Sequence, residues 1–243
     1  MPTLAFWNTA GNVAPATVAA LAHEADADVL ILAENNIPNG TLVANLNAGV
    51  IREYFPDPGP PGRLTIFTRF LAERASLIRD VGGTSIRHYR MPMGDPILVV
   101  AVHFPSKLWK DTDDQNQGAT RIARYIREAE EKVGHERTVV MGDFNMDPFE
   151  PGVVGSEGLH GTMDRSIASR GTRVVAEESR TFFYNPMWSF FGDTDRHRRA
   201  RISEIRVKRS ISSGIFSIRC WSDQPCYNFW IGMQFGLLQK SEV

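Results

Sequence analysis

Five polar residues of this sequence each stand at, or directly after, the end of a short apolar run: Asn8, Glu34, His103, Asp143 and Asn145. Hard oxygen ligands such as Glu34, with an Asn carbonyl nearby, suit a Mg²⁺ or Mn²⁺ ion whose coordination a substrate phosphate completes. Asp143 could orient or deprotonate an attacking water, while Asn145 and His103 could donate hydrogen bonds to phosphoryl oxygens. These residue types therefore predict metal-assisted chemistry on a phosphate ester.

The segments that precede these five residues have the composition of buried strands. They are Leu4 to Asn8, Val29 to Ala33, Ile97 to Val102 and Thr138 to Met141. Strands that are apolar on both faces must be covered on both faces, so helices are expected to cover the sheets. Because side chains at strand ends converge on one rim in layered α/β folds, we expect the five polar residues to lie together there.

Two helices and two further strands complete this prediction. Pro15 opens an Ala-rich helix that runs to Ala25, since proline favours the first turn. The clearest helix runs from Asp114 to Val133 with apolar residues on one face, and Gly134 ends it. The alternating segments Leu64 to Phe70 and Thr84 to Tyr89 predict half-buried strands.

The composition predicts a single domain, 1–243, in a soluble and cytoplasmic protein. The chain has 243 residues, 42% of them hydrophobic, and a formal net charge of -1. Its two cysteines, Cys220 and Cys226, exclude a disulfide scaffold. We expect no secretory signal, because the first residues lack a basic region, and no membrane span, because no apolar run approaches roughly 18 residues.

The near-neutral charge is a cancellation between unlike segments. Residues 1–192 carry 18 basic and 23 acidic side chains, residues 193–219 carry 8 basic and 3 acidic ones, and residues 220–243 carry 1 and 2. The acidic part argues against long duplex DNA as substrate, which usually requires a basic groove. The basic stretch from Arg196 to Arg209 begins a compositional break near Gly192.

Four motifs follow one another along the chain: Phe6-Trp7-Asn8, Asp28-Val29-Leu30-Ile31-Leu32-Ala33-Glu34, Val100-Ala101-Val102-His103 and Gly142-Asp143-Phe144-Asn145. In order and spacing they resemble the endonuclease/exonuclease/phosphatase superfamily with the DNase I-like fold. Two further segments, His103-Phe104-Pro105-Ser106-Lys107 and Phe183-Tyr184-Asn185-Pro186-Met187-Trp188, look like features of a bacterial branch. The resemblance implies a four-layer α/β sandwich, in which two facing mixed β-sheets are flanked by helices. It also implies hydrolysis of phosphodiesters or phosphomonoesters with Mg²⁺ or Mn²⁺.

The same resemblance assigns a role to each residue. Glu34 would be the principal metal ligand and Asn8 would help to bind metal or phosphate. His103 would hydrogen-bond the scissile phosphate, Asp143 would activate water, and Asn145 would position the water or the phosphate. The implied substrate is a phosphate ester: nucleic acid, a nucleotide, a phosphoinositide or a phospholipid head group.

The C-terminal part departs from the family pattern, which usually ends in a Ser-Asp-His motif. Ser222-Asp223-Gln224-Pro225 is one candidate for it, and a Gln amide cannot carry the proton that His carries. In a second register, which we favour, Phe235 lies near the late Asp position and the chain stops before the His strand. Residues 193–243 are therefore expected to be divergent, frameshifted or truncated.

Two functions of different classes follow from this departure. The first is an active metal-dependent phosphoesterase in which water attacks phosphorus. The second is a catalytically impaired family member that binds phosphate ligands or a protein partner, or a truncated gene product that folds poorly. Loss of one general acid or base costs roughly 10²- to 10⁴-fold in rate, so an intact half-site is compatible with either function.

Overall fold

The computed structural model describes residues 2–57, 63–107, 111–185, 203–207 and 216–220. Ser222-Asp223-Gln224-Pro225, Phe235 and most of the basic stretch from Arg196 to Arg209 lie outside the described residues. The two proposed registers of the C-terminal motif therefore stay predictions.

Strands dominate the chain order, with helices between them. The strands are β1 (Thr3–Asn8), β2 (Val29–Ala33), β3 (Phe55–Pro56), β4 (Leu64–Thr68), β5 (Ala75–Val81), β6 (Thr84–Tyr89), β7 (Ile97–His103), β8 (Thr138–Asp143), β9 (Gly161–Thr162), β10 (Thr172–Val175), β11 (Glu178–Thr181), β12 (Phe183–Tyr184), β13 (Ser203–Val207) and β14 (Phe216–Cys220). The helices are α1 (Pro15–Glu24), α2 (Asn39–Leu46), α3 (Thr112–Val133), α4 (Pro151–Val154) and α5 (Arg165–Ala168), with a 3₁₀ turn at Ala72–Arg74.

Two mixed sheets form the centre of the molecule. The first has six strands in the order β13-β14-β1-β2-β4-β3, and the second has four in the order β5-β6-β7-β8. β1 runs parallel to both β2 and β14, and β7 runs parallel to β8. The remaining pairs in both sheets are antiparallel. The parallel pairs β1–β2 and β7–β8 have their carboxyl ends at the site described below.

The two sheets pack face to face, and each is covered by helices on its other face. One buried cluster joins the sheets and includes Phe6, Ile31, Ile66, Tyr89, Val99 and Met141. A second joins the first sheet to α1 and α2, and a third joins the second sheet to α3. The order helix, sheet, sheet, helix is the predicted four-layer α/β sandwich of the DNase I-like fold, and the prediction is confirmed.

The long helix α3 forms where the sequence periodicity predicts it. The Asp111 side chain caps its first turn by accepting a hydrogen bond from the backbone N–H of Asp114 at 2.8 Å. Ile122, Ile126 and others on one face pack against β6, β7 and β8. The helix ends at Gly134, whose φ of 74° is the left-handed conformation that glycine adopts without strain. Within the described residues no helix is long and apolar enough to cross a membrane.

Candidate active site

The ends of four neighbouring strands carry the predicted site residues. Asn8 is the last residue of β1 and pairs with Ala33, so that Glu34 follows directly at the end of β2. In the second sheet His103 pairs with Asp143 at the ends of β7 and β8. Because the two sheets face one another, these four side chains meet at one rim.

A single amide group connects the two carboxylates of this rim. Asn8 Nδ2 donates to Glu34 Oε1 at 3.1 Å and to Asp143 Oδ2 at 3.0 Å. Its Oδ1 accepts the backbone N–H of Ala10 at 3.0 Å, which fixes the orientation of the amide. The side-chain nitrogen of Asn8 therefore faces both carboxylates.

His103 joins the same group from the second sheet. Its Nε2 lies 3.2 Å from Glu34 Oε1, the oxygen that also accepts from Asn8. The His103 side chain is 11% exposed, whereas that of Glu34 is 47% exposed. His103 Nδ1 is buried and has no hydrogen-bond partner within the described part of the chain. The rim is thus open to solvent on the side of Glu34 and closed around His103.

Asn145 lies in the loop that leaves β8. Its backbone N–H donates to Asp143 Oδ1 at 3.1 Å, and its Nδ2 donates to the carbonyl of Phe104 at 2.9 Å. Its φ of 50° is a left-handed conformation that Asn tolerates better than most residues. Asn145 therefore orients Asp143 through its backbone and connects the loop after β8 to the loop after β7 through its side chain. Its amide nitrogen is used in the hydrogen bond to Phe104.

Close backbone contacts explain two glycines beside the site. A Cβ on Gly142, whose φ is 152°, would lie 1.9 Å from the carbonyl oxygen of Val102. A Cβ on Gly83, whose φ is 83°, would lie 2.4 Å from the carbonyl oxygen of His103. Gly142 belongs to the predicted Gly-Asp-Phe-Asn motif, whereas Gly83 was not predicted. The Gly82-Gly83 pair between two strand patterns is the signal that could have identified it.

Glu34 is held in an uncommon backbone conformation. Its φ is 51°, which costs an L-residue roughly 1–2 kcal/mol. The Thr9 hydroxyl donates to the carbonyl of Glu34 at 2.8 Å, and it also lies 3.1 Å from the carbonyl of Ala33. Thr9 was not among the predicted residues, because a Thr that follows a strand carries no distinctive sequence signal.

The electrostatics differ between the two carboxylates. Burial raises the pKa of Asp143 above its ordinary value, and the charge of Glu34 raises it further. The hydrogen bonds from Asn8 and Asn145 and the nearby His103 act in the opposite direction. Desolvation outweighs them, so Asp143 is a stronger base than an exposed aspartate.

The donor set fits a divalent cation that keeps most of its water. The described residues contain no group of three or more His, Cys, Asp and Glu side chains that could hold a metal ion. Mg²⁺ is commonly bound by only one or two carboxylates together with substrate phosphate, and Glu34 and Asp143 supply two that share one hydrogen-bond donor. The partly exposed Glu34 is the more accessible of the two.

Comparison with known proteins gives a family match and several similar structures. Residues 5–202 match the sequence profile of the Endonuclease/Exonuclease/phosphatase family. No curated protein matches the chain. The matched residues run from within β1 to beyond β12 and include all five predicted site residues.

Three similar solved structures come from different organisms. Truncated TDP2 from Caenorhabditis elegans has 16% identity and a TM-score of 0.45, covering 59% of this chain and 62% of that one. The human Nocturnin catalytic domain with bound sulfate has 15% identity and a TM-score of 0.41, covering 59% and 62%. A family protein from Bacteroides thetaiotaomicron has 13% identity and a TM-score of 0.45, covering 62% and 64%. The chain thus spans less than two thirds of each of these structures.

Proposed function

Since the chain belongs to the endonuclease/exonuclease/phosphatase family, we propose that it is a divalent-metal-dependent phosphoesterase in which water attacks phosphorus. The observation that carries this proposal is the position of Asn8 Nδ2 between the carboxylates of Glu34 and Asp143. Two carboxylates held this close at an open rim repel one another, and a cation relieves that repulsion. Such a pair is more suited to binding a metal ion than to stabilising the fold.

Glu34 is the principal metal ligand in this proposal, and Mg²⁺ or Mn²⁺ is the ion. Its exposed side chain leaves room for water and substrate around the ion. When bound, the cation would polarise a phosphoryl oxygen and neutralise charge that develops on it. Asn8 assists by separating the two carboxylates, and direct coordination by its oxygen would need the amide to turn away from Ala10.

Asp143 is the general base in this proposal. Its burial raises its pKa, and a more basic carboxylate takes a proton from water more readily. Hydrogen bonds from Asn8 and from the backbone of Asn145 hold its two oxygens in place. One lone-pair direction on each oxygen remains available for a water molecule.

His103 and Asn145 complete the site. The Nε2 of His103 lies within hydrogen-bond distance of Glu34 and could donate instead to a phosphoryl oxygen when substrate is bound. Asn145 holds the loop after β8 through the Phe104 carbonyl, so its role in this proposal is to position Asp143 rather than to contact the phosphate.

A second candidate function is a phosphate-binding family member with impaired catalysis. One observation favours it: the sequence contains no Ser-Asp-His motif. Such a protein would bind a phosphate ester at the same rim without turning it over. The substrate or ligand class is the same in both cases: nucleic acid, a nucleotide, a phosphoinositide or a phospholipid head group.

Hydrolysis of two chromogenic substrates separates the candidates. Bis-p-nitrophenyl phosphate tests diester cleavage and p-nitrophenyl phosphate tests monoester cleavage, each with Mg²⁺, Mn²⁺ or EDTA. We expect turnover that EDTA abolishes and that Asp143→Asn lowers by roughly 10²- to 10⁴-fold. Asp95→Asn is the matched control, because Asp95 is exposed and precedes β7 at the end remote from His103. Equal rates for the wild type and Asp143→Asn would reject the proposal that this site catalyses phosphate-ester hydrolysis.

A further inference from the structure

One arginine lies beside the proposed active site without a described partner. Arg63 directly precedes β4, and the antiparallel register pairs Leu64 with Ala33. Continuing this register by one residue places Arg63 next to Glu34. Arg63 therefore stands at the same rim, one strand away from the proposed metal ligand.

The Arg63 side chain also reaches the second sheet. Its Cδ lies 3.5 Å from the position that a Cβ on Gly83 would occupy. The carbonyl of Gly83 accepts the backbone N–H of His103 at 2.7 Å. The arginine thus extends from the end of the first sheet to the backbone that holds His103, across the side of the rim where β4 and β6 lie.

The charge of Arg63 is not balanced within the described part of the chain. Arg63 is exposed and makes no hydrogen bond or ion pair with any described residue. Arg52 and Arg69 lie at the opposite end of β2 from Glu34, where they pair with Asp28 and Asp26. Lys107, which follows β7, pairs with Glu150.

A phosphate-ester substrate carries negative charge that a fixed cation beside the proposed metal ion would help to balance. Glu34 and Asp143 both repel an approaching phosphate, and residues 1–192 are acidic as a whole. A guanidinium group presents a planar fork of N–H donors that matches two phosphate oxygens. We propose that Arg63 binds a non-bridging phosphoryl oxygen of the phosphate-ester substrate on the side of Glu34 and His103, a role that rests on the proposed function.

Two substitutions test this role, with a third as control. Arg63→Gln removes the charge, and Arg63→Lys keeps it but loses the fork. Arg127→Gln is the matched control, because Arg127 is also an exposed arginine but lies on the part of α3 that is remote from the site. Glu130, one turn further along α3, contacts Thr138 at the start of β8, whereas Asp143 is at the end of that strand. For bis-p-nitrophenyl phosphate we expect kcat/KM to fall roughly 10- to 100-fold in Arg63→Gln and less in Arg63→Lys. Arg127→Gln should match the wild type.

A binding measurement separates the role of Arg63 from the enzymatic function. Inorganic phosphate is titrated calorimetrically into each protein in the presence of Mg²⁺, after circular dichroism has shown equal melting temperatures. The wild type could fail to turn over either ester and still bind phosphate more than tenfold more tightly than Arg63→Gln. That result would reject the phosphoesterase activity and support phosphate binding by Arg63. Equal phosphate affinity in the two proteins, or no phosphate binding by the wild type, would overturn the Arg63 proposal.

Discussion

The side-chain nitrogen of Asn8 lies 3.0 Å from Oδ2 of Asp143, although 135 residues separate the two in the chain. The same nitrogen lies 3.1 Å from Glu34 Oε1. A neutral amide thus supplies the donor that two carboxylates share. The contact also ties the end of β1 in one sheet to the end of β8 in the other, so the site bridges the interface between the sheets.

Asn8→Asp tests the role of this shared donor. Aspartate keeps the oxygen that accepts from Ala10 but loses the N–H groups directed at Glu34 and Asp143. With three carboxylates together, we expect the free energy of unfolding in EDTA to fall by about 2 kcal/mol at neutral pH. Excess Mg²⁺ should restore most of this loss, because a cation neutralises the added charge. Urea denaturation with and without Mg²⁺ measures both effects; an identical loss in the two conditions would contradict the role.

The adjacent glycines Gly82 and Gly83 offer a matched pair of substitutions. Both have positive φ, so replacement by alanine costs each about 1 kcal/mol. A Cβ at position 82 meets nothing within 4 Å, whereas one at position 83 collides with the His103 carbonyl. We expect Gly83→Ala to lose a further 1–3 kcal/mol and to reduce turnover by displacing His103. Denaturation curves and kcat for both variants check this, and indistinguishable variants would show that Gly83 does not position His103.

Glu130 makes stability depend on pH. The Thr138 hydroxyl donates to its Oε1 at 2.5 Å, and burial raises its pKa from 4.5 to about 7. The folded state therefore favours the protonated carboxyl, so its stabilising contribution is complete below pH 4.5 and is lost as pH rises through 7. The loss amounts to roughly 3 kcal/mol at most.

Glu130→Gln should remove this dependence. Glutamine is neutral at all pH values and still accepts from Thr138, so the variant should exceed the wild type in stability at pH 8 but not at pH 4.5. Glu131→Gln is the control, because Glu131 is exposed on the same helix. Chemical denaturation across this pH range measures the difference; a gap between Glu130→Gln and wild type that stays constant with pH would refute the assignment.

The sequence predicts those helices and strands whose buried faces leave a clear pattern of apolar residues. β2 was predicted with the bounds that it has, because Val29–Ala33 is apolar throughout and polar residues follow it. α3 was predicted because its apolar face repeats with helical period and Gly134 ends it. The sequence does not predict β5, because most of its residues are only half-buried and a register shift between Leu77 and Arg79 breaks its alternation. α2 was missed because it is short and contains Gly40 and two asparagines, so packing of Leu42 and Leu46 rather than propensity stabilises it.

The site was predictable as a set of residues but not as a geometry. Strand ends that carry Asn8, Glu34, His103 and Asp143 were expected at one rim, and the structure brings the four together there. Which atom faces which cannot be deduced from spacing, because it depends on the approach of the two sheets. The engaged amide of Asn145 and the contribution of Gly83 are consequences of that approach.

Binding of Mn²⁺ tests the central claim, a metal site at Glu34, without requiring the correct substrate. Electron paramagnetic resonance of free Mn²⁺ is recorded during titration of the wild type, Glu34→Gln and Glu53→Gln. Glu53 is the control, because it is an exposed glutamate just before β3. We predict one bound ion in the wild type and in Glu53→Gln, with at least tenfold weaker binding in Glu34→Gln. Equal Mn²⁺ affinity in all three proteins would contradict a metal site at Glu34.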